Sequence, residues 1–352
     1  MYITLYVLNP RLAYKYRSGE GSTFIRDLSS LRDCQFYAGT RHALNDPFEG
    51  RFDRASLDAQ LTFARKTAEF LSGALVGSLD GVRSAASDVL AFVDSCGVFS
   101  LSYNPLNELI WAHYGGSHKG FCIGYDVDQL TSFEPNQFHR IDVTYNNLAP
   151  TIAATDLLLD SSPLSVLRKM LGTKSSPWGY EEEVRVVATP AGLHEHDFRA
   201  VREVYFGLRC SEENRVSVMQ ALAGRGVRYK QVVSPHPSYL LAAEDVFDTF
   251  AETPPYRKQI APIAEHAIPT SYLKADLQPY VGYLHKAAEI VRRDPYCPLV
   301  ETVEFSGSRS TPGNPVVYVQ YQRQAGKWIT KHFSLAEIDA QYTALRVGQR
   351  DV

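Results

Sequence analysis

Gly97-Val98-Phe99-Ser100-Leu101-Ser102 is followed by Asn104-Pro105-Leu106-Asn107-Glu108 and then by Phe121-Cys122-Ile123-Gly124-Tyr125, and on this stretch the fold turns. The first run is short, apolar and closed by turn residues, which reads as a buried strand. Asn104 is predicted to cap a helix, with Pro105 at its first position and Asn107 and Glu108 in its first turn. That helix carries Leu109, Ile110, Trp111 and Tyr114 and stops at Gly115-Gly116, where a left-handed residue is cheap. Phe121 to Tyr125 reads as the next strand. Working outward, 12–17 is predicted to be a strand entering a Gly-rich turn, 22–31 a short helix and 35–39 a short aromatic strand. Asn45-Asp46-Pro47 is turn chemistry, because Asn and Asp bond their own backbone and Pro presets φ. From Ala55 to about Val93 the apolar spacing is helical, in two pieces broken near Gly77-Ser78-Leu79-Asp80-Gly81. Further strands are predicted over 140–145, 183–188, 203–207 and 228–233. Many short strands around one helical block specify an α+β fold with a mixed, mostly antiparallel sheet and helical insertions, not a doubly wound one.

The chain has 352 residues, more than one core usually serves, so two domains are expected. Glu252-Thr253-Pro254-Pro255 marks the boundary, giving a front domain over 1–252 and a small α+β module over 256–352. The tail from Tyr256 holds 12 Lys/Arg and 9 Asp/Glu, about +3, which leaves 24 minus 30, or −6, in front. It reads as a helix over 273–291, strands over 300–305, 316–322 and 327–333, and a closing helix capped at Ser334. Double-stranded-RNA-binding domains share that α-β-β-β-α order. The lysine cluster they carry at the start of the last helix is missing, so a packing or partner-binding module is expected ahead of an RNA-binding one, with a nucleic-acid or protein target as its partner.

Hydrophobic residues make up 45% and charged residues 21%, which fits a globular chain and excludes a disordered one. A net charge of −3 gives no overall reason to expect nucleic acid or anionic membrane as partner. The five cysteines are scattered and never form C-x-x-C, which argues against a disulfide framework and a structural zinc site. Cys96, Cys122 and Cys210 sit beside apolar residues and read as small core side chains. No signal peptide and no membrane-length apolar run is evident, so a cytoplasmic location without membrane contact is expected.

No phosphate-binding loop with Lys, no G-x-S-x-G and no H-E-x-x-H occurs. His113 and His118 are five apart across Gly-Gly and do not make a metal pair, and His194-Glu195-His196 reads as a polar surface loop, so no metal is expected. Three polar clusters remain. They are Tyr14-Lys15-Tyr16-Arg17; Ser100 and Ser102 with Trp111-Ala112-His113-Tyr114 and His118-Lys119-Gly120; and Lys174 with Trp178-Gly179-Tyr180-Glu181-Glu182-Glu183-Val184-Arg185. Alternation along a strand puts Glu181, Glu183 and Arg185 on one face. Such a face is either an exposed ion-pair ladder or a site. For Trp111 and Tyr114, plain core packing at helical spacing stands beside a role in a site.

Taken together, these clusters and the turn Leu44-Asn45-Asp46-Pro47-Phe48-Glu49-Gly50 resemble the bacterial domain-of-unknown-function family numbered 2971, over residues 12 to about 245. The order of pieces is also similar, more distantly, to the DarT-type ADP-ribosyltransferases, which open on a tyrosine-histidine strand holding nicotinamide and end on a strand like Val204-Tyr205-Phe206-Gly207-Leu208. This chain has Lys15 or Tyr16 where that branch has histidine. The likeness implies an ADP-ribosyltransferase-like sheet and an intracellular effector acting on NAD, as a toxin or antiphage protein. Glu183, Glu181 and His113 would then be catalytic. Tyr14, Lys15, Tyr16, Arg17, Ser100, Ser102, Trp111, Tyr114 and Arg185 would hold the cofactor, with Arg17 on the diphosphate. Two readings stay open beside it. One is a nucleic-acid-binding or nuclease-like effector in which Arg17, Lys174 and Arg185 hold phosphates; the other is a ligand-sensing module without chemistry.

Overall fold

The structure is a computed structural model and describes residues 12–71, 76–153, 156 and 164–348. The chain divides into two compact units, Met1–Ala251 and Glu252–Val352. In chain order the first unit contains β1 (Leu12–Arg17), α1 (Gly21–Arg32), β2 (Gln35–Thr40), α2 (Arg54–Leu71), α3 (Val76–Ser95) and β3 (Gly97–Ser102). It continues with α4 (Glu108–His113), β4 (Phe121–Asp126), the single turn α5 (Val127–Leu130), β5 (Phe138–Asp142), β6 (Thr144–Asn146), α6 (Leu164–Leu171) and β7 (Thr173–Ser175). It closes with β8 (Glu183–Ala188), β9 (Gly192–Glu195), β10 (Val201–Phe206), α7 (Glu212–Ala221), β11 (Arg228–Val233) and β12 (Ala242–Val246).

Ten of these strands join one sheet in which β12, β11, β10, β4, β1, β3, β2 and β9 follow one another and β8 lies between β3 and β5. Its ladders are antiparallel except β10 with β11, so the unit is α+β with a mostly antiparallel sheet. The feature that matters for function is a fork. Strand β1 pairs with β4 along all six residues, and β3 pairs with β8 along all six, but β1 and β3 share the single pair Tyr14↔Ser102. At its other end the same edge of β3 pairs with β2, at Val98 and Gly97. The edge of β3 between these two contacts therefore opens onto a gap in the sheet.

The strands form because their apolar residues are buried on both faces. Phe99, Phe121, Ile123, Tyr125, Val184, Val186 and Phe206 lie in one core, whereas Val98 and Val187 join Leu167, Met170 and Leu171 of α6 in another. Burying a side chain of this size stabilises by roughly 1.5–3 kcal/mol, which explains why such short ladders hold. A third cluster, Tyr16, Ile110, Trp111, Cys122, Tyr205 and Val232, packs α4 against the sheet beside the fork.

Several local expectations give way. Asn107, not Asn104, caps α4, its side chain accepting from the Leu109 and Ile110 amides, while Asn104 closes a turn by accepting from Leu106 N at 2.9 Å. Gly77 to Gly81 lie inside α3 and so do not break the helical stretch there; residues 72–75 lie outside the described residues. The strand predicted over 140–145 is two strands, parted at Val143. His194 lies on β9 and His196 is buried beyond it, so that segment is no surface loop; among the described residues no group of His, Cys, Asp and Glu could hold a metal. Cys96 and Cys122 are buried as expected, and Cys210 is half-buried. No described helix is long and apolar enough to cross a membrane.

In the second unit, α8 spans Val281–Val291, and β13 (Thr302–Phe305), β14 (Val316–Gln324) and β15 (Lys327–Ser334) form an antiparallel meander followed by α9 (Leu335–Gly348). Pro279 interrupts the helix expected from Leu273, so 275–280 is a 3-10 turn and the α-helix begins only at Val281. Ser334 and Glu337 cap α9 reciprocally: Glu337 N donates to Ser334 Oγ and Ser334 N donates to Glu337 Oε2 at 2.8 Å.

Candidate functional site

A cavity of about 150 Å³ opens at the fork, with Tyr14, Lys15 and Tyr16 of β1 on one side and Ser100 and Ser102 of β3 on the other. Tyr114, at the end of α4, and Lys174, Glu181 and Glu183 complete it, together with Asn45 and Glu49 from the turn before α2. Three polar clusters far apart in sequence thus meet at one place, because the strands that carry them border the same gap.

The deep end is built around Arg185. Its side chain is wholly buried on β8, and all five of its N–H donors are used. Nη1 and Nη2 donate to the two Glu49 carboxylate oxygens at 2.8 and 2.6 Å, and Nε and Nη2 to those of Glu183 at 2.8 and 3.1 Å. The fifth donor reaches Leu171 O at 2.8 Å. Lys174, carried in from β7, lies 2.6 Å from Glu181 Oε2, 3.3 Å from Glu183 Oε2 and 3.7 Å from Glu49 Oε1. Burial alone would favour a neutral amine at Lys174, but Glu183 and Glu181 outweigh it and push its ammonium above the usual range. Burial likewise opposes the charge on Glu183, and Arg185 and Lys174 overcome that, holding the carboxyl down to about 2.

Glu181 differs from Glu183 in its surroundings. Its Oε2 accepts from Lys174, and its Oε1 accepts from Tyr114 Oη at 2.7 Å; that hydroxyl in turn accepts from Asn45 Nδ2 at 2.7 Å. The local backbone explains the position. Residues 176–181 form a 3-10 turn, Glu182 is left-handed with φ of 44°, and only then does β8 begin. The expectation of one continuous strand face through Glu181 is therefore corrected. An exposed ion-pair ladder is excluded too, since Glu181, Glu183 and Arg185 are all buried.

Lys15 stands on the opposite wall. Its Nζ crosses the gap to donate to Ser100 O at 2.9 Å and lies 4.9 Å from the centre of the Phe99 ring. Burial, reinforced by the neighbouring Arg17 charge, pushes its ammonium down to about 7. Tyr14 Oη donates to Glu203 at 2.8 Å and Tyr16 Oη to Asn104 O at 2.6 Å, so the hydroxyl ends of both rings are tethered away from one another. Ser102 Oγ accepts from Asn104 N at 3.0 Å, which makes it the closing hydroxyl of the turn after β3.

Four expected residues are elsewhere. Arg17 does not line the cavity and lies 3.7 Å from Asp27 of α1. Trp111 is wholly buried behind Tyr16, edge-on at 5.0 Å, and belongs to the core. His113 is exposed beside Tyr180 and forms no part of the charged cluster. Arg185 is in the cluster but under it, out of reach of any ligand. Lys174 lines the cavity, but its ammonium is held by Glu49, Glu181 and Glu183. Sequence reasoning passed over Glu49, Asn45 and the centrality of Lys174. The Asn-Asp-Pro turn was the available signal: Asp46 Oδ1 accepts from Phe48 N and Asp46 O from Glu49 N, which fixes the direction of Glu49.

Residues 110–186 match the model of a family described as a protein of unknown function (DUF2971). The resemblance to that family is thus shown across the segment from α4 to β8, which contains Tyr114, Lys174, Glu181, Glu183 and Arg185; β1, the Asn45–Glu49 turn and β3 lie outside the matched residues. No curated protein and no solved structure matches the chain.

Proposed function

We propose that the first unit cleaves the bond between an aromatic ring and a ribose, as in NAD, with Glu181 as the carboxylate that stabilises the breaking centre. The carrying observation is that Glu181 lies on the wall of the fork cavity, held by Lys174 and Tyr114, while Glu183 is consumed by Arg185 and Lys174. A cavity near 150 Å³ is about what one aromatic ring fills, so it suits the ring end of a dinucleotide and leaves the rest outside. Rupture of the ring–ribose bond leaves positive charge on the sugar carbon, and a fixed carboxylate lowers that barrier as in glycoside cleavage. Tyr14, Tyr16 and Tyr114 give the ring its walls. On this reading the catalytic carboxylate would be Glu181, with Glu183 and His113 outside the chemical step.

The test is release of nicotinamide from NAD, and transfer of ADP-ribose to protein or nucleic acid, by the full chain and by Glu181→Gln. Removing one such electrostatic element costs roughly 10²–10³ in rate. A full chain that binds no NAD and releases no nicotinamide, or a Glu181→Gln variant as fast as the parent, overturns the reading.

A further inference from the structure

Among the described cations at and beneath the cavity, Lys15 is the one with no carboxylate at ion-pair distance. Lys174 and Arg185 are each gripped by two or three carboxylates, whereas Lys15 Nζ has a peptide carbonyl at 2.9 Å and an aromatic ring beneath it. The peptide oxygen and the ring both favour the ammonium over a neutral amine, but neither carries a full opposite charge, so they offset only part of the lost hydration. The other charged groups acting on it are Arg17 on its own strand, Asp27 from α1, and Glu181 and Glu183 across the gap. Burial and Arg17 prevail over the three carboxylates. The outcome is an amine of which about half carries a free lone pair near pH 7, on the wall of a ring-sized cavity, the situation in which lysines act as nucleophiles toward carbonyl groups.

We infer that Lys15 is a carbonyl-reactive amine that forms an imine with a short aldehyde or ketone admitted to the fork cavity. The neutral Nζ attacks the carbonyl carbon, forming the C–N bond of a carbinolamine as one N–H proton moves to the oxygen. Loss of water then breaks the C–O bond and takes the second N–H proton, leaving C=N; no oxidant, reductant or further reactant is needed. Cavity size limits the partner to about the bulk of one ring or a few-carbon open chain. Lys174 cannot substitute, because its carboxylate neighbours keep it protonated. The proposal does not rest on the NAD reading, and it survives or fails without it.

The experiment uses the full chain with glycolaldehyde as probe and cyanoborohydride to reduce any imine to a stable amine, followed by peptide mass mapping from pH 6 to pH 9. An exposed lysine titrating near 10.4 has only about one amine in a few thousand unprotonated at pH 7. Lys15 should therefore be modified at least about ten-fold faster than the mean of the other lysines at pH 7. Its rate should level off as pH rises past about 7, where the exposed lysines are still accelerating. Benzaldehyde, which is ring-sized, should suppress glycolaldehyde labelling more strongly at Lys15 than at surface lysines. Modification of Lys15 no faster than the mean, or a Lys15 rate that keeps climbing in parallel with the others to pH 9, overturns the inference. Because the readout is position-resolved on the unaltered chain, it needs no variant that has to fold.

Discussion

At the deep end of the cleft Arg185 has every N–H committed to two carboxylates and a carbonyl, whereas on the open wall Lys15 has a carbonyl and a ring. Both are cations placed by strands bordering the same gap. The first environment makes the charge indispensable; the second makes it a burden. Arg185 is wholly buried and Lys15 half-buried, but the larger difference is whether carboxylates stand at bonding distance to repay the lost hydration. A protein can thus hold one cation as structure and another as a latent amine within one site, using nothing but the choice of neighbours.

The largest effect that tests this contrast is expected at Arg185. Arg185→Met leaves Glu49 and Glu183 buried and facing only Lys174, and breaking a buried pair of this kind costs about 3–5 kcal/mol. Urea unfolding of the full chain should show that loss in the transition of the first unit; a loss under about 1 kcal/mol would mean that the network is ornamental.

Next in size is the pH response of Glu183, whose carboxyl is held near 2 against an ordinary 4.5. Its folded value is depressed, so its contribution is fully present above about 4.5 and is lost as pH falls toward 2. That contribution is on the order of 3 kcal/mol. The stability difference between parent and Glu183→Gln should therefore be constant from pH 5 to 7 and shrink below pH 4.5. A difference independent of pH down to 3 would show that Glu183 is not held ionised by Arg185.

The smallest and opposite effect belongs to Lys15. Its ammonium falls from 10.5 to about 7 on folding, so between these values the unfolded chain holds more protons than the folded one. The folded state of the parent therefore carries a penalty at and below pH 7 that fades toward pH 10. Lys15→Met should be more stable than the parent at pH 7, by about 1–2 kcal/mol once partial exposure is allowed for, and lose that advantage by pH 10. A variant less stable than the parent at pH 7 would make the two cations alike after all.

Much of the frame was legible because the core strands advertise themselves. Gly97–Ser102, Phe121–Asp126 and Arg228–Val233 are apolar or alternating runs bounded by turns, and their strands follow. The meeting of the three clusters was legible as a possibility, since charged and hydroxyl groups on buried strands need a reason. What could not be read was the geometry that decides roles. Trp178 to Arg185 alternates like one strand, yet a left-handed Glu182 separates a 3-10 turn from β8, and a non-glycine residue in that conformation leaves no mark in sequence. The Arg185–Glu49 pair spans 136 positions, and only the fold brings it together. Arg17 and His113 looked as chemical as Lys15 and Glu181. Arg17 shares Lys15's face of β1 but lies past the gap, beside Asp27, and His113 stands exposed on α4.

The single rung Tyr14↔Ser102 has a consequence for how such a site can vary over time. The cavity is the interval left where two ribbons part company, so its span is a property of the main chain. Side chains along it can be exchanged, and the hollow persists with a new lining, which lets its chemistry drift while its location stays fixed. A one-residue insertion in β1 or in the bend after Ser102 is a different matter. In β1 it would slide the rung and turn that strand's lining side chains to the other face, Lys15 and Tyr16 trading places in a single step.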